Sequence, residues 1–105
     1  MADNSLHGLQ KSIDQWISKN GGYWDEMSLL ARLTEEVGEL AREYNHQFGA
    51  KKKKKSESDN SIAGELADVM WLVLCMANQQ KIDMTAEFEK VMTKLEVRDA
   101  NRFTG

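Results

Sequence analysis

Not one proline interrupts the 105 residues of this chain, and no other single feature restricts its fold as much. Proline removes a backbone donor and breaks helix interiors, so a chain without it can keep long helices intact. Leu, Ala, Glu, Lys and Met are abundant, and all are good helix formers. Four segments show helical periodicity. The first runs from about Asn4 to Lys19, with Leu6, Leu9, Ile13, Trp16 and Ile17 on one face. Asn20-Gly21-Gly22 should end it, because glycine takes the left-handed conformation that a helix C-terminus needs. The second runs from about Asp25 to Phe48, with Leu30, Leu33, Val37, Leu40 and Tyr44 spaced as a bundle seam and Gly49 as its stop. The third runs from about Ser61 to Gln80, with Asp59, Asn60 or Ser61 as candidate N-caps. The fourth starts near Asp83 or Thr85, carries Phe88, Val91, Met92 and Leu95 at helical spacing, and leads into a charged tail.

Four helices joined by short connections predict an all-α, antiparallel four-helix bundle, with residues 1–105 as a single domain. The stretch Val69 to Ala77 in the third helix is apolar nearly all round. So small a bundle cannot cover such a helix on every side, so we expect a homo-oligomer, a dimer or a dimer of dimers.

Hydrophobic residues make up 41% and charged residues 30% of the chain, a globular balance. No apolar stretch reaches membrane-spanning length, and the N-terminus lacks the basic and apolar regions of a signal peptide. Cys75 is the only cysteine, which leaves no partner for an intramolecular disulfide and fits a reducing cytoplasm. The net charge of −3 argues against general nucleic-acid binding. The one basic block, Lys51 to Lys55, lacks a neighbouring aromatic residue and reads as a solvated loop, or else as a cover that reaches phosphates.

The chemistry lies in the acids. The second helix carries Glu35, Glu36 and Glu39, and the third carries Glu65 and Asp68. Residues three apart share a helix side. At roughly 100° per residue, Glu36 and Glu65 flank the apolar stripes of their helices at about 70° and 80°. Antiparallel packing would let four carboxylates, Glu36, Glu39, Glu65 and Asp68, converge beside the core. Such a group repels itself unless a cation sits within it. All-oxygen ligands select magnesium or manganese. His46 closes one Glu-x-x-His pair, with Glu43, and His7 closes none, which falls short of the two such pairs of the di-iron carboxylate pattern and argues against it. Glu35 and Glu36 have no Lys or Arg three or four residues C-terminal to them, and Glu39 has Glu43, so the cluster reads as lacking a local counter-charge. Gly38, in mid-helix at a cost of about 1 kcal/mol, would make room for a neighbouring helix or ligand. Trp16, Tyr23, Trp24, His46 and Trp71 are available to stack on a planar ligand, although buried aromatics mostly serve packing.

Glu35-Glu36-Val-Gly-Glu39, a gap of 25 residues, then Glu65-Leu-Ala-Asp68 resembles the signature of the MazG-like nucleotide pyrophosphohydrolases. The all-α dUTPases and dCTP pyrophosphatases share that superfamily. The resemblance extends from about Leu9 to Phe103 and implies magnesium-dependent hydrolysis of nucleoside triphosphates to monophosphate and pyrophosphate. It implies Glu36, Glu39, Glu65 and Asp68 as magnesium ligands, with manganese as a substitute. Glu35 is implied as the acid that orients or deprotonates water, beside Glu36 in the catalytic pair. The tail residues Lys94, Arg98, Asn101 and Arg102 resemble the segment that contacts substrate phosphates and sugar. No base-pocket residue can be matched one by one.

Two other readings fit the same residues. One is a non-catalytic helical module that binds partners through its apolar third helix. The other is a nucleic-acid accessory protein acting through Lys51 to Lys55, which would show steeply salt-dependent binding.

Overall fold

The computed structural model describes residues 3–49 and 61–104, with side chains described as far as Arg98. The basic run Lys51 to Lys55 lies outside the described residues. Four helices follow one another: α1 (Leu6–Lys19), α2 (Glu26–Phe48), α3 (Ile62–Gln79) and α4 (Met84–Thr104). The fold is all-α, as the missing proline and the periodicity imply.

Local chemistry sets the ends. The side chains of Ser5, Asp25 and Ser61 accept hydrogen bonds from the backbone N–H of Gly8, Ser28 and Gly64, so each satisfies an orphan donor of a first turn. Gly21 and Gly22 take φ of 101° and 84°, and the Gly22 N–H reaches back to the Ile17 carbonyl at 2.9 Å, closing α1. The end of α3 repeats this closure without glycine. Lys81 adopts φ 61°, and the Ile82 N–H donates to the Ala77 carbonyl at 2.8 Å.

The main pairing is α2 on α3; α1 packs on α3, and α4 touches α1. Ile13, Leu29, Leu72, Leu74 and Cys75 form the buried core, with Leu6, Leu9, Ile17, Tyr23, Leu33, Met76 and Met84 packed around it. One polar clamp joins three elements. The buried Gln10 side chain donates to Asn78 Oδ1 and to the Ile82 carbonyl, and it accepts from the Met84 N–H, each at 2.9 Å. Asn78 in turn donates to the Gln10 carbonyl at 2.8 Å. The start of α4 is thereby fixed against α1.

The seam expected on α2 is turned. Leu30, Val37 and Tyr44 are exposed, while Leu29, Glu36 and Glu43 are buried and Leu33 and Leu40 half-buried. Periodicity identifies an apolar stripe but not which of two neighbouring stripes faces inward. Here the inward one contains carboxylates. Met27, Leu30, Val37, Tyr44 and Phe48 form a second, outward stripe with sevenfold spacing. The expectation for Gly38 also changes: a Cβ placed there would meet nothing within 4 Å, so the glycine clears no neighbour among the described residues. The Cα radius of gyration is 17.5 Å, against about 13 Å for a compact domain of this length. No helix among the described residues is long and apolar enough to cross a membrane.

Candidate active site

Three of the predicted ligands meet where α2 faces α3. Carboxylate oxygens of Glu36, Glu65 and Asp68 lie within 4.8 Å of one another. Glu36 is 7% exposed and Glu65 5%, whereas Asp68 is open to solvent. Burial holds the Glu65 carboxyl above the usual carboxylate range; a hydrogen bond with Glu36 and the charges of Glu36, Asp68 and Glu39 push it the same way. Its Oε2 is buried and has no hydrogen-bond partner. A buried carboxylate oxygen without a donor is costly, and three converging carboxylates suit a hard divalent cation. The residues present therefore fit a metal ion. Glu39 is exposed and stands outside this group of three, near enough for its charge to act on Glu65.

Beside the carboxylates opens a cleft of about 390 Å³, and Glu36 and Asp68 belong to both. Its apolar walls come from four places: Trp16 and Ile17 of α1, Tyr23 and Trp24 of the α1–α2 turn, Leu29 of α2, and Trp71, Leu72 and Cys75 of α3. Trp16 and Trp71 meet edge to face, with centroids 5.8 Å apart and planes at 77°. Four of the five aromatic candidates thus converge. His46 does not; its Nδ1 lies 3.6 Å from Glu43. The turn that carries Tyr23 and Trp24 is tethered at both residues. The Tyr23 hydroxyl donates to Asp14 at 2.7 Å, and Gln79 of α3 donates to the Trp24 carbonyl at 2.7 Å. Burial first, and then its bond to Asp14, pushes the Tyr23 hydroxyl up to about 12, so it stays a donor at neutral pH.

The expectation that no counter-charge lies near the acids is wrong, already in the sequence, where Arg42 stands three residues C-terminal to Glu39, and again in the structure. Arg32 sits one turn N-terminal to them. Its Nη2 lies 2.7 Å from Glu36 Oε1, and its Nη1 lies 3.0 Å from Glu35 Oε2. Residues at i−3 and i−4 share a helix face as well as those at i+3 and i+4, so the pairing was legible from spacing in the other direction. Arg32 also lines the cleft. Glu35 itself is exposed and points to Arg32. Lys94 and Arg98 are exposed on α4, where they border a depression with Val91 and Leu95, and they line no part of the cleft. Asn101 and Arg102 belong to α4, but their side chains lie outside the described residues.

An all-α protein that gathers acidic residues from two helices next to an aromatic cleft has the means to hold a hard divalent cation beside a planar ligand. The pattern of the MazG nucleotide pyrophosphohydrolase domain matches residues 25–103. The Bacillus subtilis (strain 168) protein YpjD is 40% identical over 105 residues, which cover 99% of this chain and 95% of that protein. The crystal structure of YpjD from Bacillus subtilis superposes with a TM-score of 0.77 over 90% of this chain and 97% of that one, at 40% identity. The crystal structure of the Bacillus-conserved MazG protein, a nucleotide pyrophosphohydrolase, gives a TM-score of 0.74 at 38% identity, covering 90% and 93%. The chain belongs to the MazG nucleotide pyrophosphohydrolase family, a family of hydrolases.

Proposed function

We propose that this protein hydrolyses ribo- or deoxyribonucleoside triphosphates to monophosphate and pyrophosphate with magnesium, as house-cleaning of a cytoplasmic nucleotide pool. The observation that carries the reading is the continuity of the aromatic cleft with the carboxylates through Glu36 and Asp68. A base seated among Trp16, Trp24 and Trp71 would direct its phosphates toward those acids. Stacking on aromatic side chains tolerates any base, and Asn20 and Tyr23 at the cleft supply polar edges.

Glu36, Glu65 and Asp68, with Glu39 close by, would hold the magnesium, and manganese suits the same oxygens. When bound, the cation supplies positive charge at phosphate oxygens and lowers the pKa of a water. Glu35, next to the ligand Glu36 in sequence and open to solvent, orients or deprotonates the water that attacks the α-phosphorus. Cationic side chains then compensate the charge of the departing pyrophosphate. For the α4 row of Lys94, Arg98, Asn101 and Arg102 we keep the role of contacting phosphates and sugar. As Lys94 and Arg98 line no part of this cleft, they would serve the cleft of a neighbouring copy. A homo-oligomer, a dimer or a dimer of dimers, is therefore part of the proposal, and the outward stripe of α2 is the surface offered for it.

The test is a panel of ribo- and deoxyribonucleoside triphosphates with magnesium, scored for pyrophosphate against orthophosphate. Release of pyrophosphate with at least one nucleotide, lost on chelation, supports the proposal. No turnover across the panel refutes it and leaves the non-catalytic helical module; orthophosphate as the sole product refutes it as well, by showing cleavage at the terminal phosphate instead.

A further inference from the structure

We propose that Arg32 has two alternating partners: it neutralises Glu36 while the carboxylates hold no cation, and it moves onto a phosphate oxygen of the substrate once they do. The inference rests on the proposed function for the identity of that substrate. Among the described residues, Arg32 is the only lysine or arginine that lines the cleft. Its guanidinium forks between Glu36 and Glu35, at 2.7 Å and 3.0 Å, while its side chain remains about half exposed. It is thus held by charge, not by packing.

Glu36 belongs both to that fork and to the group of three carboxylates. A divalent cation at the carboxylates would withdraw electron density from Glu36 and repel the guanidinium 2.7 Å from it. The fork would then need another anion within reach. A triphosphate lying from the aromatic wall toward Glu36 and Asp68 passes that point, and guanidinium binds phosphate oxygens in the forked geometry it now uses on carboxylates. Arg32 therefore opposes cation binding in the empty site and supports nucleotide binding in the loaded one. The opposed signs distinguish this from a structural role, in which loss of the side chain would weaken both.

Calorimetric titration with magnesium alone, and then with a non-hydrolysable α,β-imido nucleoside triphosphate in saturating magnesium, reads both signs. Arg32→Ala should bind magnesium about three- to fivefold more tightly than wild type, the worth of a partly exposed ion pair. It should bind the analogue at least about tenfold more weakly, as expected for a lost hydrogen bond to a charged group. Arg32→Lys, which keeps the charge and loses the fork, should leave magnesium affinity near wild type and bind the analogue with intermediate strength. Circular dichroism of each variant checks that the helices are intact. An Arg32→Ala protein that binds magnesium no more tightly, or that binds the analogue as well as wild type, overturns the proposal. If wild-type protein binds no analogue and turns over no triphosphate, the functional reading and the phosphate half of this proposal fall together. The magnesium arm alone still tests whether Arg32 competes for Glu36.

Discussion

Replacing Gln10 with alanine should destabilise the protein more than its polar character suggests. The wild-type side chain makes three hydrogen bonds at 2.9 Å, to Asn78 Oδ1, to the Ile82 carbonyl and from the Met84 N–H. Each net bond contributes about 0.5–1.5 kcal/mol, so their joint loss should cost about 1.5–4.5 kcal/mol. The upper half of that range is expected. Gln10 is buried, and two of the three partners are backbone groups in the α3–α4 turn and first turn of α4 that the helices do not otherwise satisfy. Gln10→Glu should be no milder at neutral pH. It keeps the acceptor for Met84 and places a carboxylate where two oxygens, Asn78 Oδ1 and Ile82 O, now receive donors. Urea unfolding followed by circular dichroism, at one fixed protein concentration so that any association contributes equally, measures the difference. A loss below about 0.5 kcal/mol for Gln10→Ala would show that water replaces the clamp without penalty, and the reasoning would fail.

Three further outcomes follow from the same geometry. Trp16→Ala should weaken nucleotide affinity by about 1–3 kcal/mol through the lost stacking face; because Trp16 is 55% exposed, its melting temperature should change little, and an unchanged KM would remove it from the base site. Val37→Glu, on the outward stripe of α2, should lower the molar mass seen by light scattering without loss of helix; an unaltered assembly would exclude that stripe as the contact. Burial pushes the Cys75 thiol up to about 11, so alkylation by iodoacetamide at pH 8 should be far slower than for a free thiol and should speed up only in denaturant; rapid modification of the folded protein would contradict its burial.

Much of the fold was legible because helix formation is a local matter. The cap residues Ser5, Asp25 and Ser61 and the Gly21-Gly22 stop act within a turn of their own positions, and the helices begin and end within a residue or two of the expected places. At α3 the end was legible, expected at Gln80 and found at Gln79, but not the device that makes it. Lys81 takes a left-handed conformation that a sequence reader assigns to glycine or asparagine. The convergence of acids was legible in part: Glu36, Glu65 and Asp68 meet, while Glu39, although three residues from Glu36, stays outside their group. The counter-charges were legible as well, since helix spacing places Arg32 within reach of Glu35 and Glu36 and Arg42 on the side of Glu39.

By itself, the sequence determined that the chain is helical, where the helices start and where the first three stop, and that two of them carry acids at i,i+3 spacing. These follow from propensity, capping and periodicity, which depend on neighbours a few residues apart. Tertiary structure decided the rest. It chose which of the two apolar stripes of α2 turns inward, burying Glu36 and Glu43 and leaving Leu30, Val37 and Tyr44 outside. It also gathered Trp16, Tyr23, Trp24 and Trp71, from two helices and a turn, into one cleft against the carboxylates. Such choices depend on how whole surfaces fit between segments distant in the chain, as when Gln79 fixes the Trp24 carbonyl from 55 residues away. Helical periodicity carries no information about contacts of that kind.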